Sequence, residues 1–405
     1  MAGSRVEPLV ARHPDETGVA EHDGIRLAWA RYGEGPITLL LMPTWQILDS
    51  RFWKCQVGYL ARHHRVVTYD GRGSGSSDHP LGPASYSNEA LAADAIAVLD
   101  ATGTDRAVLV ALSAGTVWSV HAAAAHPDRV SGIVAISPAV DVDVAQPTRT
   151  QFGFETRLDT TRGWAKYNQF HWLEGGFDDF RAFFFDEMFS EPHSTKQRED
   201  ALDWSDQVDP QVLVDATLGR TSPSNPPFEE VCARVTCPML VIHGTDDRVR
   251  PDVVGRRLAE LTGARLVLVE GGGHGILLRD PVRINLLVHD FVRSLHPPSS
   301  KPPPVTWTHA AARPRRVLYL SSPIGLGHAR RDLAIARELR ALHPGVQIDW
   351  LAQHPVSRVL QDHGEQVHPA SGWLASESRV FEHESGEHDL NAFQAIRRMD
   401  SILVN

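Results

Sequence analysis

The amino-acid sequence predicts an α/β fold: a mostly parallel sheet with helices on both faces and one helical insertion. Three observations lead there. Short apolar runs, several of them β-branched and bounded by turn residues, alternate with amphipathic stretches from about Gly18 to Leu295. Such alternation is the pattern of strands buried on both faces of a parallel sheet. The alternation lapses once, from about residue 139 to 228, where aromatic residues crowd a stretch with no strand pattern. One apolar run also stops abruptly at a serine among small residues, in Ala107-Val-Leu-Val-Ala-Leu-Ser-Ala-Gly-Thr-Val-Trp.

The strand-like runs are Ile37-Thr-Leu-Leu-Leu-Met, Arg65-Val-Val-Thr-Tyr, Ala107-Val-Leu-Val-Ala, Val130-Ser-Gly-Ile-Val-Ala-Ile, Met239-Leu-Val-Ile-His and Ala264-Arg-Leu-Val-Leu-Val. The stretch from Asn88 through Leu99 reads as an amphipathic helix. The aromatic segment, from Phe152 through Trp164, Tyr167, Trp172 and Phe184 to Trp204, reads as a helical cap over an apolar acyl pocket. At least three of its rings are expected to line the substrate cavity. Trp118, Trp164 and Phe184 are the candidate pocket residues.

His296-Pro-Pro-Ser-Ser-Lys-Pro-Pro-Pro opens a linker, because proline runs favour extended chain and deny helix and sheet. The expected domains are therefore residues 1–296, with the cap at about 139–228, a linker at 297–314, and a second α/β unit at 315–405. In that unit Arg316-Val-Leu-Tyr-Leu-Ser-Ser is strand-like, Pro323-Ile-Gly-Leu-Gly-His is a Gly-rich turn, Ala329 to Leu342 is helical and Gln347-Ile-Asp-Trp-Leu-Ala is a second strand. The chain stops partway through an apolar run, Ser401-Ile-Leu-Val-Asn. The expectation is an incomplete, Rossmann-like lobe of a longer protein.

A length of 405 residues makes two domains the natural prior. The net charge of -10 argues against a nucleic-acid partner, which needs a basic face. Cys55, Cys232 and Cys237 make no disulfide framework, and Cys232 with Cys237 has no second pair to complete a metal site. Glu382-His-Glu-Ser-Gly-Glu-His-Asp reads as a solvated acidic loop rather than a metal tract. The N-terminus has no apolar signal core, and no run approaches the roughly 18 apolar residues of a membrane span. Cytoplasmic location is the expectation.

A buried strand that turns sharply into a helix can hold a serine hydroxyl up at the sheet edge, which makes Ser113 a candidate nucleophile. Asp247 follows in His243-Gly-Thr-Asp-Asp-Arg, and His274 in Gly271-Gly-Gly-His-Gly. With Asp70-Gly-Arg-Gly-Ser-Gly-Ser-Ser after a strand, these segments resemble the α/β-hydrolase superfamily over roughly Thr17 to Leu295. The resemblance implies a serine hydrolase with a cap and a Ser113–Asp247–His274 triad. Ser113 would attack, His274 would act as base, and Asp247 would orient the imidazole. Asp247 is preferred over its neighbour Asp246 because the family's acid usually lies three residues after the glycine.

The backbone N–H of Ala114 would be one oxyanion donor. The second comes from the loop after Leu39-Leu-Leu-Met. There the family usually has His-Gly, whereas this chain has Pro43-Thr44-Trp45. Pro43 has no N–H, so the donor is Thr44 or Trp45, with Trp45 preferred. Ala111 stands where the family's first elbow glycine is usual. The implied reaction is cofactor-free cleavage of an ester or related bond in a small-molecule acyl substrate. Perhydrolase and acyltransferase chemistry share the same machinery, and the two departures leave room for a catalytically weak module.

Ser322-Pro-Ile-Gly-Leu-Gly-His-Ala-Arg-Arg resembles the N-terminal lobe of two-lobed (GT-B) glycosyltransferases. The resemblance implies an acceptor site at Gly325, Gly327 and His328. It also implies, as partner, a missing C-terminal glycosyltransferase lobe, which in that family holds most of the sugar-nucleotide pocket.

Overall fold

The computed structural model describes residues 12–144, 151–221, 227–295, 315–321 and 326–373. The linker at 297–314, Gly325 and the acidic tract from Glu382 lie outside them. The chain divides into two compact units, the larger spanning Pro14–Pro297.

The larger unit carries an eight-stranded sheet. Its strands are β1 (Glu16–His22), β2 (Ile25–Tyr32), β3 (Thr38–Leu41), β4 (Arg65–Tyr69), β5 (Ala107–Leu112), β6 (Val130–Ile136), β7 (Met239–Gly244) and β8 (Arg265–Val269). They lie in the order β1-β2-β4-β3-β5-β6-β7-β8. β1 pairs antiparallel with β2, and β2 with β4; every later pairing is parallel. Every residue of β3, β5 and β7 is buried, as their unbroken apolar runs require. The β1–β2 hairpin carries no such run, and of its strand residues Ala20, Leu27 and Trp29 alone are buried. Its signal is the turn Asp23-Gly24, both residues at positive φ, the conformation a tight two-residue hairpin needs.

The helices are α1 (Lys54–Leu60), α2 (Asn88–Ala101), α3 (Gly115–Ala125), α4 (Gln169–His171), α5 (Phe177–Met188), α6 (Thr195–Ser205), α7 (Pro210–Thr221), α8 (Phe228–Cys232), α9 (Asp252–Thr262), α10 (Ile276–Arg279) and α11 (Pro281–Leu295). α1 packs on α10 and α11, while α2, α3, α8 and α9 touch in series. β6 touches both α3 and α11, so helices cover both faces of the sheet. α11 buries Ile284, Val288, Phe291 and Val292, one stripe of the helical period. The Asp70–Ser77 turn is structural. Asp70 accepts from the backbone N–H of Ser50 and Ser76, and buried Arg72 donates through Nε to buried Asp94 at 2.7 Å.

The described part of the segment between β6 and β7 contains helices and no strand. Its rings pack on one another and on Trp45, which meets Tyr167, Trp172, Phe180 and Phe184 at centroid distances of 5.3–6.0 Å. Of the rings from Phe152 to Trp204, Phe184 lines a small cavity with Ser113 and His274, and Trp204 lines another with Gln46 and Asp49. Trp164 is buried edge-on against Phe183, 5.3 Å away, and lines none of them. Large apolar rings lose most by staying wet, so the insertion uses them first for its own core.

The smaller unit holds β9 (Arg316–Ser321), α12 (Leu326–Leu342), β10 (Gln347–Ala352) and α13 (Val356–Asp362). β9 and β10 are parallel, with α12 between them in the chain. Trp350 is its buried centre, packed with Ala329, Ala336, Val356 and Leu360. Glu365 accepts from the Trp350 indole N–H at 2.6 Å and from both terminal nitrogens of Arg340. The described helices include none long and apolar enough to cross a membrane.

A histidine cluster joins α11 to the segment after α1. His64 lies 3.0 Å from His289, Nε2 to Nδ1, and the His63 and His289 rings are 4.6 Å apart. Burial, then the neighbouring His289 and His63, push the His64 imidazole down to about 4. Arg293 and Asp290 act in opposite directions on His289. An unfolded His64 accepts a proton near pH 6.5, and the folded one refuses it until about pH 4. The stabilisation is therefore complete above pH 6.5 and is lost as pH falls towards 4. The urea midpoint should drop over that window, and His64→Gln should flatten the drop.

Candidate active site

The site begins where β5 ends. Leu112 is the last strand residue, and Ser113 takes φ 55°, a left-handed conformation that a side-chain-bearing residue adopts only under constraint. Its backbone is tied on both sides. The Ser113 N–H donates to the Ile136 carbonyl at 3.0 Å, and the Ser113 carbonyl accepts from the N–H of Thr116 and of Ala139. α3 starts two residues later at Gly115, so the turn is as tight as the cluster of small residues implies.

Gly115 is required by close approach. A Cβ there would stand 2.3 Å from the Pro43 carbonyl oxygen, and the same atom would meet the Ala111 Cβ at 3.5 Å, an ordinary contact. Alanine at 111 therefore fits this elbow without displacing it. The same packing draws the loop after β3 against the first turn of α3. Thr44 and Trp45 line a small cavity together with Ser113 and His274. Among the described residues, no backbone acceptor takes the N–H of Ala114 or of Trp45.

Three side chains from distant parts of the sequence meet here. His274 Nε2 lies 3.0 Å from Ser113 Oγ, and His274 Nδ1 lies 2.7 Å from Asp247 Oδ2. Asp247 Oδ1 accepts from the backbone N–H of Val249 and of Arg250, both at 2.8 Å. Burial would raise the Asp247 carboxyl, but the neighbouring His274 and the hydrogen bonds from His243 and His274 hold it well below the usual carboxylate range. An ionised Asp247 can only accept, so His274 Nδ1 carries the proton and Nε2 accepts from the serine hydroxyl. Asp246 is exposed, and its N–H donates to the Gly272 carbonyl.

The loop carrying His274 is braced by the insertion. The Gly273 N–H donates to Glu191 at 2.7 Å, and the Gly275 N–H donates to the Met188 carbonyl at 3.0 Å. His243 is a residue the sequence reading missed. It is fully buried behind Asp247, and its Nε2 faces two acceptors, Asp247 Oδ2 at 3.2 Å and the Arg250 carbonyl at 2.9 Å. That nitrogen must carry the proton. The one available signal was its place four residues before the acid, next to Gly244.

Of the candidate pocket residues, Phe184 lines the small cavity over Ser113, which holds about 20 Å³. Trp118 lines a second cavity of about 290 Å³ that begins at Ala114. Trp164 joins neither. Gly327 and His328 are exposed near the start of α12 in the other unit.

A mostly parallel sheet with a serine elbow, an acid after β7 and a histidine after β8 defines an α/β hydrolase fold. The family model described as alpha/beta hydrolase fold matches residues 47–281, and the chain belongs to that family. Among its relatives, a protein named putative carbamate hydrolase RutD from Caulobacter segnis is 29% identical over 242 residues, 58% of this chain and 84% of that one. Protein ABHD8 of Homo sapiens is 28% identical over 255 residues, 62% of this chain and 54% of that one. Among solved structures, a bromoperoxidase from Bacillus anthracis aligns at TM-score 0.57 with 20% identity, covering 69% of this chain and all of that one. An enol-lactonase from Burkholderia xenovorans LB400 aligns at TM-score 0.57 with 23% identity, covering 68% and 99%. These likenesses carry the fold alone.

The close approach at Gly115 is testable. Gly115→Ala forces the elbow and the Pro43 loop apart, so it should lower unfolding free energy by about 1–3 kcal/mol, read by urea denaturation.

Proposed function

We propose that the chain is a cofactor-free serine hydrolase that cleaves an ester or related acyl bond through an acyl-enzyme. The observation that carries the reading is the continuous hydrogen-bonded series from Ser113 through His274 to Asp247. Ser113 Oγ attacks the acyl carbon while His274 Nε2 takes its proton. Asp247 stabilises the resulting imidazolium and fixes its orientation. The oxyanion forms facing the N–H of Ala114 and that of Trp45 or Thr44, which is worth most in a site closed to water. His274 then gives the proton to the leaving atom, and water repeats the sequence on the acyl-enzyme. An alcohol or peroxide in place of water gives acyltransferase or perhydrolase chemistry from the same intermediate. The name putative carbamate hydrolase, carried by one relative, is consistent with this class.

A weak or silent hydrolase module of a larger glycosyltransferase fusion is the second reading, favoured by the departure at Pro43, which brings no backbone N–H to the donor loop. The βαβ order of the smaller unit, with exposed His328, fits a partial Rossmann-like lobe of that kind. We give it no part in the hydrolytic step, and we propose a cytoplasmic setting for the reaction.

A fluorophosphonate probe should add once per chain, at Ser113, and Ser113→Ala should abolish the adduct. His274→Ala should lower turnover of short-chain esters by about 10⁴-fold or more, whereas His328→Ala should leave it unaltered. Absence of labelling on the wild-type chain would favour the second reading.

A further inference from the structure

The hydrogen-bonded series from Ser113 through His274 to Asp247 continues one side chain further. Asp247 Oδ1 accepts from the N–H of Val249 and of Arg250, both at 2.8 Å. Oδ2 accepts from His274 Nδ1 at 2.7 Å and from His243 Nε2 at 3.2 Å. His243 therefore addresses the same oxygen that orients the proposed base. A carboxylate held at Oδ1 alone can pivot about that oxygen. A second donor at Oδ2 fixes its plane, and with it the imidazole it holds.

The surroundings of His243 fit that role. It is fully buried near the end of β7, after Met239, Leu240, Val241 and Ile242. A strand covered on both faces is served best there by an apolar side chain, and a buried polar one is costly unless it is hydrogen-bonded. His243 Nε2 also donates to the Arg250 carbonyl at 2.9 Å. Its two acceptors lie at the two ends of the 247–250 turn, so one N–H closes the turn whose main chain holds Oδ1. The other ring nitrogen, Nδ1, is buried and has no hydrogen-bond partner among the described residues. A proton there would have nothing to accept it, so the ring donates through Nε2. Room for the ring comes from α9. Gly255 lies inside that helix, where glycine is the poorest former after proline. A Cβ at 255 would stand 2.4 Å from His243 Nδ1 and 3.1 Å from its Cγ.

We propose that His243 is a positioning residue for the acid: its Nε2–H, shared between Asp247 and the Arg250 carbonyl, keeps Asp247 Oδ2 turned to His274, and the bare backbone of Gly255 gives the ring its place. The part this has in turnover rests on the serine-hydrolase reading above.

Three variants separate positioning from packing. His243→Leu fills the strand position without a donor. It should lower kcat for p-nitrophenyl acetate by about 10–100-fold and leave KM within about twofold. In His243→Gln the amide nitrogen reaches the place of Nε2, and most of that loss should be recovered. Gly255→Ala keeps every hydrogen-bonding group but presses on the ring, and it should lower kcat by about tenfold. Urea midpoints identify any variant that fails to fold. A folded His243→Leu with wild-type kcat, or a His243→Gln as impaired as His243→Leu, overturns the proposal. Should His243→Leu fail to fold, wild-type kcat in Gly255→Ala overturns it instead. A second measurement needs no turnover: the downfield proton resonance of the His274 Nδ1–H bonded to Asp247. It should persist in His243→Gln and move upfield or broaden away in His243→Leu and Gly255→Ala. If it does so while wild-type protein neither hydrolyses esters nor takes a fluorophosphonate probe, the positioning role stands and the hydrolase reading alone fails. If esters are hydrolysed and neither kcat nor the resonance responds to these substitutions, the positioning role fails and the hydrolase reading stands.

Discussion

The left-handed turn at Ser113 is the constraint on which the rest of the site depends. A side-chain-bearing residue at φ 55° is held there only because its surroundings allow nothing else. Its N–H is taken by β6, its carbonyl by Thr116 and Ala139, and the next turn of chain is pressed on Pro43. Those contacts come from β5, α3, β6 and the loop after β3, the central elements of the parallel sheet. The sheet thus stabilises a local strain whose result is a hydroxyl lifted to the strand ends, where His274 can reach it.

The imidazole is located by a different set of elements. Its orientation comes from Asp247, which is held by two backbone N–H groups and backed by His243. Its loop is fastened to the insertion at Met188 and Glu191. The insertion therefore has a structural part in the site. Its aromatic mass packs around Trp45, whose own backbone lines the proposed oxyanion hole. A shift in that ring cluster would move the donor loop and the histidine loop together.

The features legible in the sequence were those fixed by local chemistry. Apolar runs marked β3 to β8, and β3, β5 and β7 are buried throughout because a strand covered on both faces has little use for polar residues. Small residues around Ser113 marked the elbow, since only they tolerate such close backbone approach. The β1–β2 hairpin escaped because an edge pair facing solvent carries no such run, and its Asp23-Gly24 turn is a two-residue signal. The place of Trp164 was not legible for a related reason. An aromatic residue in such a segment looks the same in sequence whether it faces a substrate or another ring, and the packing of Trp164 on Phe183 comes from tertiary structure. His243 was hidden for a third reason: its Nε2 meets Asp247 and the Arg250 carbonyl only once the acid loop has folded.

The acid loop also bears on how this fold diversifies. The proposed nucleophile, base and acid occupy strand ends that the sheet topology dictates, and their chemistry is shared by any member with the same three residues. The larger cavity is built from other material. It uses the first turn of α3, the end of α7, α8 and the tail of the acid loop, and two of these flank or belong to the insertion. Arg250 is the junction, since one residue supplies a backbone donor to Asp247 and a side chain to the cavity wall. Its backbone role is indifferent to side-chain identity, so the position can vary in charge without disturbing the acid. The acid is held by hydrogen bonds from main chain, and what faces the cavity is set by what projects from it.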